Sequence, residues 1–184
     1  MLKRVAVSGY KPHELGVFNE ENPGVRIIKK VLETQFRMLL DEGLEWIITS
    51  GQPGVEFWAA EVVLDLQEEF PHLKYAVMPP FLEQEKNWNE TRKAQYEMIT
   101  MHADFFRPLT KRPYEAPWQF VEKNRFLLRN TDALLLMFDE ETGGSPKFIK
   151  EEADRFKDAN DYQLFFITPD DLRIAAEEEQ SDFW

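Results

Sequence analysis

The chain has 184 residues, of which 43% are hydrophobic and 30% are charged, a balance typical of one soluble domain with a sizeable core. It contains no Cys, which excludes a disulfide scaffold, a cysteine nucleophile and thiolate metal ligands. Its formal net charge of −12 argues against nonspecific nucleic-acid binding, which depends on neutralising phosphates.

The histidines and the apolar runs argue against two further classes of protein. His13, His72 and His102 are scattered and lack the spacing of metal ligands, so we expect no metal site. No apolar stretch approaches the length of a membrane span, and Met1 leads directly into a strand-like run. We therefore expect a cytoplasmic protein that does not insert into a membrane.

Strands and helices alternate along the first half of the chain. Residues 3–9, 46–50 and 73–78 are strand-like runs. Between them, apolar side chains recur at helical spacing over residues 24–41 and again over residues 55–70. This rhythm predicts a parallel sheet with right-handed crossovers.

The same rhythm returns after a less regular middle. Residues 104–117 hold three prolines among aromatic and basic side chains, and they predict an irregular excursion. A helix is then predicted over residues 118–129, with strands over 133–138 and 163–168. The pattern as a whole predicts a single Rossmann-like α/β domain over residues 1–184, with a mostly parallel, twisted sheet and helices on both faces.

The turn after the second predicted strand has the features of an anion site. The strand ends at Ser50, the segment Gly51-Gln52-Pro53-Gly54 follows, and a helical pattern then begins. Free N–H groups and the positive end of a helix dipole favour a phosphate at such a turn. Glycine also allows positive φ and close approach of a ligand. We predict that Gly51, Gln52 and Gly54 hold a phosphate through their backbone N–H groups.

Glu56 lies in the first turn of the helix that follows, and two interpretations stand side by side. Its carboxylate either favours the helix dipole from an exposed position or accepts hydrogen bonds from ribose hydroxyls or a base amine. Trp58, two positions further along the same segment, is another candidate ligand contact. If the protein is an enzyme, Glu56 and Glu85 are the candidate acid–base carboxylates.

Three predicted strand ends carry glycine beside a small hydroxyl residue, a combination that suits phosphate and ribose. In open parallel sheets, ligands bind beyond such ends, near the reversal of strand order. Each glycine also has a structural interpretation, as a simple turn or a loop before a helix. The candidates at these ends are Gly9, Tyr10, Lys11, Ser50, Gly144 and Ser145.

Positive charge and a stacking ring are available at two further places. Lys86 and Trp88 offer a phosphate cation and a base-stacking ring, although Trp88 also suits packing at a helix entry. Arg125 either clamps a phosphate with two parallel hydrogen bonds or pairs with a surface carboxylate.

Several independent motifs together resemble the YpsA family of Gram-positive bacteria, over nearly the whole chain. They are Val7–Pro12, Asp41–Trp46, Ser50–Glu61, Gln84–Trp88, Arg112–Glu115 and Gly144–Lys147. That family is placed in the SLOG superfamily of Rossmann-like proteins, which includes relatives of DprA and of the LOG (lysine decarboxylase-like) proteins. The segment that begins Lys123-Asn124-Arg125 also resembles a segment of DprA-type domains, which adds Asn124 to the candidate ligand contacts.

The resemblance implies binding of a nucleotide or a nucleotide derivative such as ADP-ribose or NAD. The glycine–acid pattern of the superfamily falls on Gly51, Gly54 and Glu56, with Gly9 contributing from the first strand. The family resemblance also implies a link to bacterial cell division. LOG-type phosphoribohydrolases carry Pro-Gly-Gly-x-Gly-Thr-x-x-Glu, whereas Lys150 stands here at the position of that Glu and the later Gly-Thr is missing. This departure argues against N-glycosidic hydrolysis by that apparatus.

Three hypotheses of function follow. The leading one is a nucleotide-binding sensor or regulatory protein, with a cell-division protein as its partner and no nucleic-acid partner. The second is an enzyme that hydrolyses or transfers a nucleotide moiety. The third is a protein-interaction module that uses the aromatic segment 104–118 and has a vestigial pocket.

Overall fold

The structure, a computed structural model, describes residues 1–182 and forms a three-layer α/β domain. In chain order its elements are β1 (Arg4–Ser8), a 3-10 helix (Pro12–Leu15), α1 (Pro23–Asp41), β2 (Trp46–Thr49), α2 (Val55–Glu69), β3 (Lys74–Val77), α3 (Glu90–His102), β4 (Phe105–Phe106), α4 (Trp118–Arg129), β5 (Ala133–Met137), α5 (Lys147–Ala159), β6 (Gln163–Ile167) and α6 (Pro169–Ser181).

The six strands form one sheet in the order β4-β3-β2-β1-β5-β6, and every pairing is parallel. The chain lays down β2, β3 and β4 on one side of β1 and then crosses, through α4, to place β5 and β6 on the other side. The strand order therefore reverses beside β1, and the carboxyl ends of β1, β2 and β5 meet at one edge of the sheet.

The helices pack in two groups, as right-handed crossovers on opposite faces of the sheet require. Helices α6, α1, α2 and α3 contact one another in that order, and α4 contacts α5. Helix α2 is apolar on most of its circumference because it lies in the core, and its side chains Phe57 and Trp58 are fully buried. All five residues of β5 are buried, as expected for a strand that is covered on both faces.

Five strands and the helices between them confirm the predicted rhythm. Helix α1 begins within one residue of the predicted start, where Pro23 occupies the first helical position and the Asn22 side chain accepts a hydrogen bond from the N–H of Gly24. The sheet is wholly parallel rather than mostly parallel.

The middle of the chain contains one strand that the sequence did not predict. Residues 105–106 lie within the predicted irregular excursion, but they form β4, a sixth strand at the edge of the sheet. The hydrogen bond from Arg107 N–H to the Val77 carbonyl oxygen, at 3.0 Å, continues this pairing. Two residues are too few to show periodicity, and both Phe side chains are exposed, so no alternation in the sequence marks this strand.

Across residues 1–182, no helix has both the length and the hydrophobicity that crossing a membrane requires. In the same range, no group of three or more His, Asp or Glu side chains is arranged to hold a metal ion.

Candidate functional site

A cavity of about 350 Å³ opens beyond the carboxyl ends of β1 and β2, beside the first turns of α4 and α5. This is the point at which the strand order reverses, and ligands of open α/β sheets bind at such a reversal. The volume lies within the range of small-molecule sites. We call its four buried polar side chains, Ser8, Glu56, Lys123 and Asn124, the floor of the cavity.

Glu56 joins the ends of two strands. Its side chain is 4% exposed, so the solvent-exposed alternative is wrong. Oε1 accepts hydrogen bonds from the Ser50 N–H at 2.7 Å and from the Ser50 hydroxyl at 2.8 Å. Oε2 accepts a longer hydrogen bond, at 3.2 Å, from the Ser8 hydroxyl. A carboxylate offers about four acceptor positions, so Oε2 keeps capacity for a donor in the cavity.

Lys123 brings a buried amine to the same floor. It is 8% exposed, and no carboxylate within residues 1–182 forms an ion pair with it inside 4.0 Å. Burial lowers the pKa of Lys123, the nearby charge of Glu56 opposes this shift, and the positive charge of Lys11 adds to it. A buried ammonium without an ion-pair partner is costly, and an anion in the cavity would remove that cost.

Asn124 presents an unpaired acceptor at the same floor. It is 6% exposed, and its Oδ1 is buried without a hydrogen-bond partner, the one side-chain atom of this kind within residues 1–182. Leaving a buried acceptor unpaired costs about 1–3 kcal/mol. Such a group, on a residue that lines a cavity, marks where a ligand would donate a hydrogen bond.

Lys11 and Ser145 line the cavity from two loops that a carboxylate holds together. Glu14 accepts hydrogen bonds from the Lys11 N–H, the Ser145 N–H and the Ser145 hydroxyl, each at 2.8 Å. Burial favours the neutral form of Glu14, but these hydrogen bonds outweigh it and lower the pKa of its carboxyl. The hydroxyl of Ser145 is therefore occupied within the protein, and the Lys11 side chain is the group free to face a ligand.

The predicted phosphate turn uses one of its three N–H groups inside the protein, that of Gly51, and within residues 1–182 no internal acceptor pairs with the N–H of Gln52 or Gly54. The N–H of Gly51 donates to the Thr49 hydroxyl at 3.3 Å, and the N–H of Val55 donates to the Tyr10 carbonyl oxygen at 3.1 Å. Gly54 has φ 94° and ψ −131°, and a Cβ there would lie 2.3 Å from the same Tyr10 oxygen. Gly54 therefore lets α2 approach the chain after β1, and neither glycine lines the cavity.

Two other predicted glycines also lie at close packing contacts. A Cβ on Gly9 would lie 2.8 Å from the Val55 side chain, and one on Gly144 would lie 2.8 Å from the Tyr10 ring. The Tyr10 hydroxyl donates to the Gly143 carbonyl oxygen at 2.6 Å and is buried beneath the loop after β5. Gly9 lines the cavity, whereas Tyr10 and Gly144 support it from outside the lining.

Four predicted side chains in or near α2 and α3 lie outside the cavity lining. Trp58 is fully buried, and its Nε1–H donates to Glu20 at 2.9 Å. Trp88 packs edge-on against core aromatic rings, which is the packing alternative considered for it. Lys86 is exposed and Glu85 is half-buried. Their roles in binding or catalysis stay predictions without support from this geometry.

Arg125 also lies outside the lining. Its guanidinium is 3.6 Å from Glu122 and 3.5 Å from Glu152, which is the surface pairing considered as its alternative. Successive helical residues are rotated by about 100°, so Lys123 and Asn124 can share the cavity face while Arg125 turns away from it.

Three residues that were not predicted as ligand contacts shape the site: Lys123, Gln84 and Gln119. Lys123, which stands beside the predicted Asn124, could have been found from the helical face that it shares with Phe120. Gln84 is buried, and its Nε2 donates to the Ser50 carbonyl oxygen at 2.9 Å while Gln52 donates to its Oε1. These contacts fix the turn after β2 and leave Gln52 as its one residue in the lining.

Gln119 organises the segment that leads into α4. It is fully buried, its Oε1 accepts from the Glu115 N–H at 2.6 Å, and its Nε2 donates to the Pro113 carbonyl oxygen at 3.1 Å. A single polar residue forms no periodic pattern, so this role of Gln119 could not be predicted from the sequence.

Known proteins of similar sequence agree with the family motifs. The model of the YspA SLOG family matches residues 5–172. The chain is 58% identical over 178 residues to a UPF0398 protein of Lysinibacillus sphaericus (strain C3-41), which covers 97% of this chain and 99% of that protein. It is 50% identical over 178 residues to the UPF0398 protein YpsA of Bacillus subtilis (strain 168), with the same coverage of each chain.

Among solved structures, the fold is shared with DNA processing protein A from Helicobacter pylori, a protein described for its single-stranded DNA binding mode. The TM-score is 0.56 at 16% identity, and the match covers 89% of this chain and 64% of that chain. This chain therefore spans less than two thirds of the Helicobacter protein, and the likeness concerns the fold. Taken with the sequence relatives and the match over residues 5–172, the chain belongs to the YspA SLOG family.

Proposed function

We propose that this protein binds a nucleotide or a nucleotide derivative, such as AMP, ADP-ribose or NAD, in the cavity beside β1 and acts as a sensor or regulatory protein. One observation carries the proposal. The floor combines an amine without an ion-pair partner, on Lys123, with an acceptor without a hydrogen bond, on Asn124. A sugar phosphate supplies an anion for the first and hydroxyl donors for the second.

The phosphate would lie near the two lysines. Lys123 and Lys11 come from different elements and line the same cavity, in a chain whose formal net charge is −12. Hydrogen bonds between an ammonium and a phosphate are charge-assisted and about twice as strong as neutral ones. Since Lys123 is buried, solvent and salt screen this interaction weakly.

The ribose would lie near the acceptors. Glu56 Oε2 and Asn124 Oδ1 both accept hydrogen bonds, and both would repel a phosphate. Family membership in SLOG adds support, as does the shared fold with a protein whose ligand, single-stranded DNA, is itself a chain of nucleotides.

The polar lining supports binding more than turnover. Among the described residues that line the cavity, Glu56 is the one carboxylate, there is no His, and three donors already engage Glu56. Acid–base hydrolysis of a glycosidic bond typically uses two carboxylates. If the rival hypothesis of an enzyme is right, a bound nucleotide will be converted by the wild-type protein and chromatography will detect the product.

A thermal-shift screen with AMP, ADP, ATP, ADP-ribose and NAD tests the proposal. A ligand at about 100 times its dissociation constant stabilises the fold by roughly 2.7 kcal/mol, which raises the midpoint by several degrees. We expect one of these ligands to shift the wild type and the control Lys86→Met, whose changed side chain lies outside the cavity lining, but not Lys123→Met. An equal shift of the midpoint in Lys123→Met would show that the ligand does not bind in this cavity.

Docking of a protein partner is a second candidate function, and the segment 104–118 favours it. Phe105, Phe106, Tyr114 and Trp118 are each between 42% and 52% exposed, which is unusual for large aromatic side chains. Pull-down of a partner, such as a cell-division protein, that is lost in Phe106→Ser but kept in Lys123→Met would favour this function. Loss in Lys123→Met alone would favour nucleotide sensing.

A further inference from the structure

The cavity has two chemically distinct parts. The floor is polar and buried, whereas six of the fourteen lining residues carry apolar side chains. We call these six residues the wall: Pro117, Phe120, Val121, Pro146, Phe148 and Ile149. All six belong to the first turns of α4 and α5 or stand immediately before them.

The outer part of the wall lies nearer the mouth of the cavity than the floor does. Helices of a parallel α/β domain begin at the edge where the strands end, so α4 enters at the mouth of the cavity and descends along it. The wall residue Val121 therefore stands nearer the mouth than Lys123 and Asn124. The exposed fractions place the outer part of the wall at the mouth, since Phe148 is 68% and Val121 is 38% exposed, whereas Lys123 is 8% exposed. The inner part of the wall, Pro146 and Ile149, is buried like the floor.

Binding of a sugar phosphate alone does not explain an apolar wall. Phe148 is a large apolar side chain at the start of α5, where solvent rather than the core surrounds it. An aromatic face at the mouth of a polar cavity is suited to stacking on a planar ring, which every nucleobase offers.

Resting on the proposed function, we infer that the ligand enters with its phosphate and ribose toward the floor and leaves its base at the mouth, stacked on Phe148 and against Phe120 and Val121. The wall offers no polar side chain to read the edges of the base. Recognition of the base is thus mainly by stacking, which every nucleobase supports, so purine and pyrimidine monophosphates both bind. The cavity of about 350 Å³ lies near the lower end of small-molecule sites and holds one nucleotide, so the second half of a dinucleotide extends through the mouth.

Calorimetric titration with two probes, AMP and ribose 5-phosphate, tests this orientation. Phe148→Ala should weaken AMP by about 5-fold or more, the loss typical of a base–aromatic stack, and leave ribose 5-phosphate unchanged. Phe148 is exposed, so the variant folds, and Phe18→Ala, whose side chain is 84% exposed outside this lining, is the matched control. Lys123→Met should weaken both probes.

Equal weakening of the two probes in Phe148→Ala, or unchanged AMP affinity, would overturn the inference. If Lys123→Met loses both probes while Phe148→Ala changes neither, the proposed function stands and the base lies elsewhere. If none of AMP, UMP and ribose 5-phosphate binds the wild type, the inferred orientation and the tolerance of different bases are both wrong. The thermal-shift screen then decides separately whether another nucleotide binds at the floor.

Discussion

The turn after β2 and the second turn of α4 lie at one cavity but differ in how far their polar groups are paired inside the protein. In the turn, the N–H groups of Ser50 and Gly51 donate to side chains of the protein itself. In α4, Lys123 has no ion pair within the described chain and Asn124 Oδ1 has no partner. The difference teaches that a glycine-rich turn can be a packing device, and it is the reason why we propose the α4 side of the cavity as the binding side.

The largest expected loss of stability comes from a substitution in the turn after β2. Gly54→Ala should lower the free energy of unfolding by about 3 kcal/mol, because its backbone conformation is essentially restricted to glycine and the new Cβ meets Tyr10. Urea denaturation measures this. The control Gly143→Ala has φ 68° with open space around its Cβ, and we expect a loss of about 1 kcal/mol. Similar losses in both variants would contradict a packing role for Gly54.

Glu56→Gln should have the next largest effect on stability. The amide keeps one acceptor oxygen but places an NH₂ group against donors at Ser50 or Ser8, so we expect a loss of about 2 kcal/mol in urea denaturation. Glu68→Gln, an exposed change on the same helix, should stay within about 0.5 kcal/mol of the wild type. A stable Glu56→Gln protein that fails to bind nucleotide would make Glu56 chiefly a ligand contact.

Lys123→Met should change the pH dependence of stability. Burial lowers the pKa of Lys123 in the folded protein below its ordinary value of 10.5. Between these two pKa values the unfolded chain binds more protons than the folded one, so this residue makes the free energy of unfolding rise with pH up to about 10.5. Urea denaturation across that range should show the rise in the wild type and its loss in Lys123→Met. A steeper rise in the variant would mean that Lys123 has a counter-charge in the folded state.

Arg125→Ala should have the smallest effect. Its ion pairs are exposed, so we expect a change within about 0.5 kcal/mol in stability and an unchanged AMP affinity by calorimetry. A tenfold weaker affinity for AMP would show that the ligand also contacts the outer surface of α4.

The layered α/β fold was predictable because its signals are repeated along the chain. Five strands and the helices between them each carry several apolar residues in register, as in α1, where Ile28, Leu32 and Phe36 are all buried. The strand at Phe105–Phe106 was not predictable, since it is held by hydrogen bonds to β3 rather than by any pattern of its own.

The site was predictable only in part, because the type of a residue does not show whether its polar groups are already hydrogen-bonded within the protein. Ser8, Lys11, Gln52 and Asn124 line the cavity at or beside predicted positions. Arg125 is a stronger phosphate ligand by chemistry than Lys123, but the rotation of α4 places the lysine at the floor. A helical projection narrows such a choice, whereas the burial that leaves Asn124 Oδ1 unpaired requires the tertiary structure.

Calorimetric titration of AMP into the wild type and Lys123→Met tests the central claim most directly, with Lys86→Met as the control. We predict that Lys123→Met weakens binding by about 30-fold or more, the loss expected when one partner of a buried charge pair is removed, and that Lys86→Met leaves the affinity unchanged. Equal affinities of the wild type and Lys123→Met would show that the nucleotide does not pair with this buried lysine, and would contradict the account.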